Sequence, residues 1–143
     1  FVAFLSQGIA PLFNSALFKE PSLLISVYNK GDIKTGFRLK FKAKGTVVNP
    51  MLLDVNTQQY IKINKTLEDE EEVIINTVTG DKRITGKVNG VESNYYKYKD
   101  LRSTWLELNI GDNVYSFNAE EGIDNLEVYI YFSNRYLEVE GCY

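Results

Sequence analysis

The densest charge in the chain is the run Glu68-Asp69-Glu70-Glu71-Glu72. Carboxylates this close together suggest either calcium coordination or general acid–base work. A calcium loop needs oxygen ligands at alternating positions and a glycine at its sharp bend, and the run has neither pattern. A solvated turn leading into the next strand accounts for it better. The stretch Gly80-Asp81-Lys82-Arg83-Ile84-Thr85-Gly86-Lys87-Val88 loosely follows a phosphate-binding loop. Its second glycine falls late, Val88 takes the place of the magnesium-binding hydroxyl, and no helix is expected to follow, so it reads as a hairpin turn. Histidine is absent. That excludes Ser-His-Asp and Cys-His catalysis, histidine acid–base work and most zinc sites. A glycosidase would need two carboxyl groups about 5–10 Å apart across one cleft. Nothing in the order of residues points to such a pair, so the chain is read as non-enzymatic, with no catalytic residue, no metal site and no cofactor.

Two further groups of residues could bind rather than react. Arg38, Lys40, Lys42 and Lys44 alternate along one stretch and could attract phosphates through a few salt-sensitive contacts. A strand needs polar residues on its wet face in any case, and lysines on a strand edge discourage unwanted pairing. The structural account is therefore the better one. Tyr95, Tyr96, Tyr98 and Trp105 form the best candidate for a partner or carbohydrate contact. Sugars stack on aromatic rings, and aromatics anchor protein interfaces. If Tyr95 and Tyr96 lie in a strand they face opposite sides, leaving at least one exposed. Ordinary cross-strand packing is the competing explanation for the cluster. Asn64-Lys65-Thr66 matches a glycosylation acceptor, a short motif that arises often by chance.

The elements that must position these residues read as β almost throughout. The 143 residues suit one domain, which at this size buries roughly 70% of its unfolded surface without needing disulfides. The net charge of −3 gives no basic field for nucleic acid, and the single cysteine, Cys142, can form no internal disulfide. No apolar run is long enough to span a membrane. Residues 1–22 show no clean period. They are read as a connecting segment from a preceding domain, with a short helical turn at Asn14–Phe18, in a chain that begins with Phe1 and so reads as a fragment.

From Leu23 onward the strand candidates are Leu23–Tyr28, Phe37–Ala43, Thr46–Val48, Pro50–Asp54, Gln59–Lys62, Glu72–Thr77, Lys82–Lys87, Tyr95–Tyr98, Trp105–Leu108, Asn113–Phe117, Leu126–Phe132 and Tyr136–Glu138. The clearest alternation sets Phe37, Leu39, Phe41 and Ala43 on one face. Asn89-Gly90 is the best two-residue hairpin signal. Gly31 and Gly111 are expected to supply backbone angles that side chains resist, Asn29 and Asn113 to bond nearby backbone, and Pro50 to start a strand or lie on an edge. The late strand has apolar or aromatic residues on both faces, which predicts a central strand covered on both sides or one face lent to a partner. Many short strands with regular turns predict an all-β, antiparallel two-sheet β-sandwich with little helix, spanning 23–143.

The ordered series of segments resembles a known family. It runs Val27–Ile33 (VYNKGDI), Gly36–Gly45 (GFRLKFKAKG), Val47–Leu53 (VVNPMLL), Glu71–Thr77 (EEVIINT), Val78–Thr85 (VTGDKRIT), the Val88-Asn89-Gly90 turn, Trp105–Phe117 (WLELNIGDNVYSF) and Val128–Val139 (VYIYFSNRYLEV). This is similar to the C-terminal domain of siphophage distal tail proteins, a phage tail component family. Asn76 stands where that pattern has aspartate, and Ile110 stands where it has proline before the glycine turn. The resemblance implies a galectin-like or jelly-roll-like sandwich in a structural protein of the tail tip or baseplate of a phage or prophage. It implies an N-terminal domain that makes a homo-hexameric ring in the full-length protein, while the fragment alone is monomeric. The C-terminal domain would dock tail-tube, tape-measure, tail-fibre or receptor-binding proteins. The implied location is the virion, assembled in the bacterial host cytoplasm. The alternative is a carbohydrate-binding module that recognises host cell-wall saccharide through Tyr96 or Trp105.

Overall fold

The computed structural model describes the backbone of residues 2–5 and the whole of residues 23–133. The expected helical turn at Asn14–Phe18, the strand at Tyr136–Glu138 and Cys142 lie outside the described residues. The strands in chain order are β1 (Val2–Leu5), β2 (Leu23–Asn29), β3 (Arg38–Ala43), β4 (Val47–Val48), β5 (Met51–Asp54), β6 (Tyr60–Lys62), β7 (Thr66–Leu67), β8 (Glu72–Asn76), β9 (Arg83–Val88), β10 (Val91–Asn94), β11 (Gly111–Asn118) and β12 (Leu126–Tyr131). Single 3₁₀ turns at Tyr96–Tyr98 and Ile123–Asn125 are the helical elements among the described residues.

The strands form a six-stranded sheet ordered β1-β12-β3-β8-β9-β10, a four-stranded sheet ordered β2-β11-β5-β6, and a small pair, β4-β7. Every pairing is antiparallel. The period of two decides what each strand buries. Leu39, Phe41 and Ala43 of β3 point inward with Val73 and Ile75 of β8, Ile84 of β9 and Leu126, Val128 and Ile130 of β12. The four-stranded sheet faces them with Leu23, Ile25, Val27, Leu52, Ile61, Tyr115 and Phe117. These residues join in one continuous apolar core, as two stacked sheets require. The all-β, two-layer expectation therefore holds.

Turn chemistry fixes the ends of the strands. Asn89 and Gly90 take φ of 52° and 80° and close the β9–β10 hairpin, as a type I′ turn demands. The buried Asn29 side chain accepts from the Gly31 amide at 2.9 Å and donates to the Ile33 carbonyl at 3.1 Å. Buried Asn113 accepts from the Asn109 amide and donates to the Asn109 carbonyl, each at 2.9 Å. Gly111 has φ 90°, as expected, but Gly31 has no positive φ, because the Asn29 side chain holds that turn without needing one. Pro50 stands directly before β5, where its missing amide costs no ladder bond.

Several boundaries differ from the sequence reading. Val2–Leu5, in a stretch that shows no period, pairs with β12 from Val2↔Tyr131 to Leu5↔Val128. β10 escapes the pattern because all four of its residues are exposed and none needs an apolar alternation. Trp105–Leu108 forms no strand; Leu108 alone makes an isolated bridge, to Thr35. β12 is central, but Tyr129 and Tyr131 on its outer side are only half-buried.

Phe41 is fully buried in the middle of the core. Phe41→Ala removes its burial and leaves a cavity, so it should lower unfolding free energy by about 3–5 kcal/mol in urea denaturation.

Candidate functional site

The aromatic cluster begins where β10 ends. Tyr95 continues the β9 ladder for one more bond, its amide donating to the Ile84 carbonyl at 2.9 Å. Then Asn94 Oδ1 accepts from the Tyr96 amide at 2.8 Å, and the Tyr98 and Lys99 amides bond back to the carbonyls of Tyr95 and Tyr96. Asparagine at the entrance thus turns the chain into a 3₁₀ turn. Tyr95–Tyr98 is therefore not the strand that its β-prone composition predicted.

The turn splits the four aromatics into two pairs. Tyr95 is buried and meets Tyr98 edge-on, with ring centroids 5.1 Å apart. Tyr95 lies directly over Gly86: a Cβ there would come within 2.1–2.3 Å of the ring. Tyr96 is 51% exposed and sits beside Trp105, with centroids 6.2 Å apart and planes tilted by 37°. Lys99 Nζ stands 5.7 Å from the Trp105 ring centre.

The turn is anchored by a carboxylate that sequence reasoning placed in solvent. Glu71 is only 4% exposed. It accepts from the Tyr95 hydroxyl at 2.6 Å and from the Glu68 amide at 3.0 Å, and Lys65 Nζ lies 3.0 Å away. The same ammonium stands 5.3 Å and 5.5 Å from the Tyr95 and Tyr98 ring centres. Burial pushes the Glu71 carboxyl up, but the hydroxyl, the amide and the ammonium together outweigh it and hold it below the ordinary carboxylate range. Burial and the Glu71 charge push the Tyr95 hydroxyl up to about 12. The signal was present in the strand period: Glu71 shares its inward parity with Val73 and Ile75.

Downstream of the turn the chain runs along the free margin of β6. The Asp100 amide donates to the Lys62 carbonyl, the Thr104 amide to the Tyr60 carbonyl, and the Lys62 amide to Ser103 Oγ. The Asp100 carboxylate accepts from Asn64 Nδ2 and the Tyr60 hydroxyl, each at 3.0 Å, and from the Arg102 amide at 3.2 Å. The Asn64 bond foremost, with the Arg102 amide and the Tyr60 hydroxyl, lowers its carboxyl against the opposing effect of burial. Asn64 and Lys65, read above as a chance glycosylation motif, are thus two of the fixings of this loop.

The rest of the acidic run and the basic stripe are held in one another's company on the outer face of the six-stranded sheet. Register places Glu127, Lys42, Glu72, Lys87 and Glu92 side by side across five strands, with alternating sign. Lys42 Nζ lies 3.7 Å from both Glu70 and Glu72, and Lys44 Nζ lies 3.0 Å from Glu70. Arg38 and Lys40 stand over Tyr131 and Tyr129 at 5.7 Å and 4.8 Å. The stripe is the wet face of a strand, as the sequence suggests. The Gly80–Val88 stretch is a turn followed by β9 rather than by a helix. A surface cleft of about 650 Å³ where β3, β8 and β12 meet is walled by Phe37, Arg38, Asn76 and Tyr131 among others, and among the described residues no carboxylate lines it. Among the described residues, no cluster of three or more metal-ligating side chains is found.

One family matches the chain: the siphovirus-type tail component, C-terminal domain, over residues 30–136. No curated protein matches the chain, and no solved structure matches it.

The Glu71–Tyr95 pair makes two pH-dependent contributions to stability. The folded Glu71 carboxyl lies below its ordinary 4.5, so its contribution is complete above that value and is lost as pH falls through the lower folded value. Tyr95 works the other way: its contribution is complete below 10.0 and is lost as pH rises towards about 12. Tyr95→Phe should cost about 1–3 kcal/mol at neutral pH, because a buried carboxylate loses a donor. The stability gap between the two proteins should narrow from pH 10 to 12. Denaturant unfolding followed by the fluorescence of Trp105, the one tryptophan in the chain, measures both.

Proposed function

Because the chain belongs to the siphovirus-type tail component family, as the C-terminal domain of a siphophage distal tail protein, we propose that it is a structural part of the tail tip that docks neighbouring tail or receptor-binding proteins. The observation that carries this reading is that the family match, residues 30–136, takes in ten of the twelve described strands, β3 to β12. The physical features agree with placement rather than turnover. Loops are fastened to strands by buried polar side chains, Asn29, Asn113 and Glu71, so surface residues are presented in fixed positions. On this reading a ring-forming domain precedes the sandwich, of which Val2–Leu5 is already a strand, and the protein acts in the virion.

A second reading rests on one observation. Exposed Tyr96 stands beside the half-buried Trp105 as a tilted aromatic pair with Lys99 next to it, a surface on which a host-wall saccharide could stack. Tyr95 is buried and packs edge-on against Tyr98, so it lies outside that surface.

Co-expression with the neighbouring tail genes separates the two. The docking reading expects the chain to co-purify with a tail-tube or receptor-binding protein on size exclusion, and to leave purified host cell walls in the supernatant. Cell-wall binding lost in Trp105→Ala, with the fold intact by circular dichroism and no tail partner retained, would establish the saccharide reading instead.

A further inference from the structure

The chain treats two neighbouring sheet margins differently. It covers β6 with the loop from Lys99 to Thr104. Among the described residues it leaves β10 open: there β10 pairs with β9 and with no other strand. Tyr95 donates to Ile84, so the residues of that parity, Val91 and Ser93, direct their amides and carbonyls towards β9. Antiparallel geometry then turns the amides and carbonyls of Glu92 and Asn94 outward. All four residues of β10 are exposed, and the strand carries no proline or lysine to discourage pairing.

The two faces of this margin differ in chemistry. On the outer face the alternating row Glu127, Lys42, Glu72, Lys87, Glu92 stops at an acid. The opposite face carries Val91, 70% exposed, beside Val88, 42% exposed. A groove of about 420 Å³ lies across the Asn94 end of the β9–β10 pair, where Lys82, Arg83 and Glu92 are among its walls.

We propose that β10 is a docking edge for an extended segment of a neighbouring protein, which bonds to the outward backbone of Glu92 and Asn94, sets a lysine or arginine opposite Glu92 and lays apolar residues beside Val91 and Val88. Strand addition supplies the affinity through main-chain bonds, and alternate side chains supply the choice of partner. A like charge opposite Glu92 is disfavoured and a cation continues the row. A second copy of this chain is a poor occupant, because its β10 offers Glu92 and no cation.

The inference rests on the docking reading, but its test reads the edge itself. The probe is a short capped peptide alternating threonine and valine with lysine at its centre, added to the whole chain. Amide hydrogen exchange at Glu92 and Asn94 should slow, and a central glutamate should weaken binding by about two- to fivefold. Glu92→Lys should reverse that preference. Glu92→Pro removes an outward amide without touching the β9 ladder, and should abolish binding. Unchanged exchange at Glu92 and Asn94, equal binding of both peptides, or protection of the free chain by its own dimerisation would each overturn the proposal. If the peptide fails while the chain still co-purifies with tail proteins, the edge is wrong and docking stands; if the peptide binds and no tail protein co-purifies, docking is what fails.

Discussion

A carboxylate taken out of water must be answered by donors, since an unpaired buried charge costs several kcal/mol. Glu71 sets that requirement for this domain, because the strand period of β8 carries it inward beside Val73 and Ile75. The hydroxyl of Tyr95, the amide of Glu68 and the ammonium of Lys65 meet it. Meeting it ties the end of the β9–β10 hairpin to the start of β8. Tyr95 can reach Glu71 only by crossing the backbone of Gly86, where any side chain would collide with its ring. With Tyr95 fixed, the following turn and the loop along β6 are fixed too, and Tyr96 and Trp105 come to share one surface.

The outer face of the six-stranded sheet obeys a different constraint. Its charges are solvated, and pairs of this kind contribute little individually. Their arrangement matters more than their strength. Basic residues on β3 are flanked by acids on β8 and β12 and by tyrosine rings on β12, so the stripe presents no continuous positive field.

Much of this was legible in the residues. β3 follows from the alternation of Leu39, Phe41 and Ala43 with arginine and lysine, and the β9–β10 turn follows from Asn89-Gly90. Asn29 and Asn113 act on their turns as their residue type suggests. The site was less legible, for identifiable reasons. A run of five acidic residues looks uniformly wet, and it hid the inward parity of Glu71. Tyrosine-rich sequence favours strands, but the single Asn94 side chain diverts Tyr96–Tyr98 into a turn. Trp105 to Leu108 has the composition of a strand and lacks one; among the described residues its pairing is confined to the single bridge of Leu108 with Thr35. β10 has no buried face and so leaves no hydrophobic pattern.

The position of β12 has a consequence for how the polypeptide reaches this state. It is made after every other described strand, yet it lies inside its sheet, between β1 and β3. A nascent chain emerging from the ribosome therefore holds two unsatisfied strand margins apart until Leu126–Tyr131 arrives to join them. Pairing across such separations in sequence is slow, and open margins invite aggregation meanwhile. Maturation of this domain is thus expected to wait on β12.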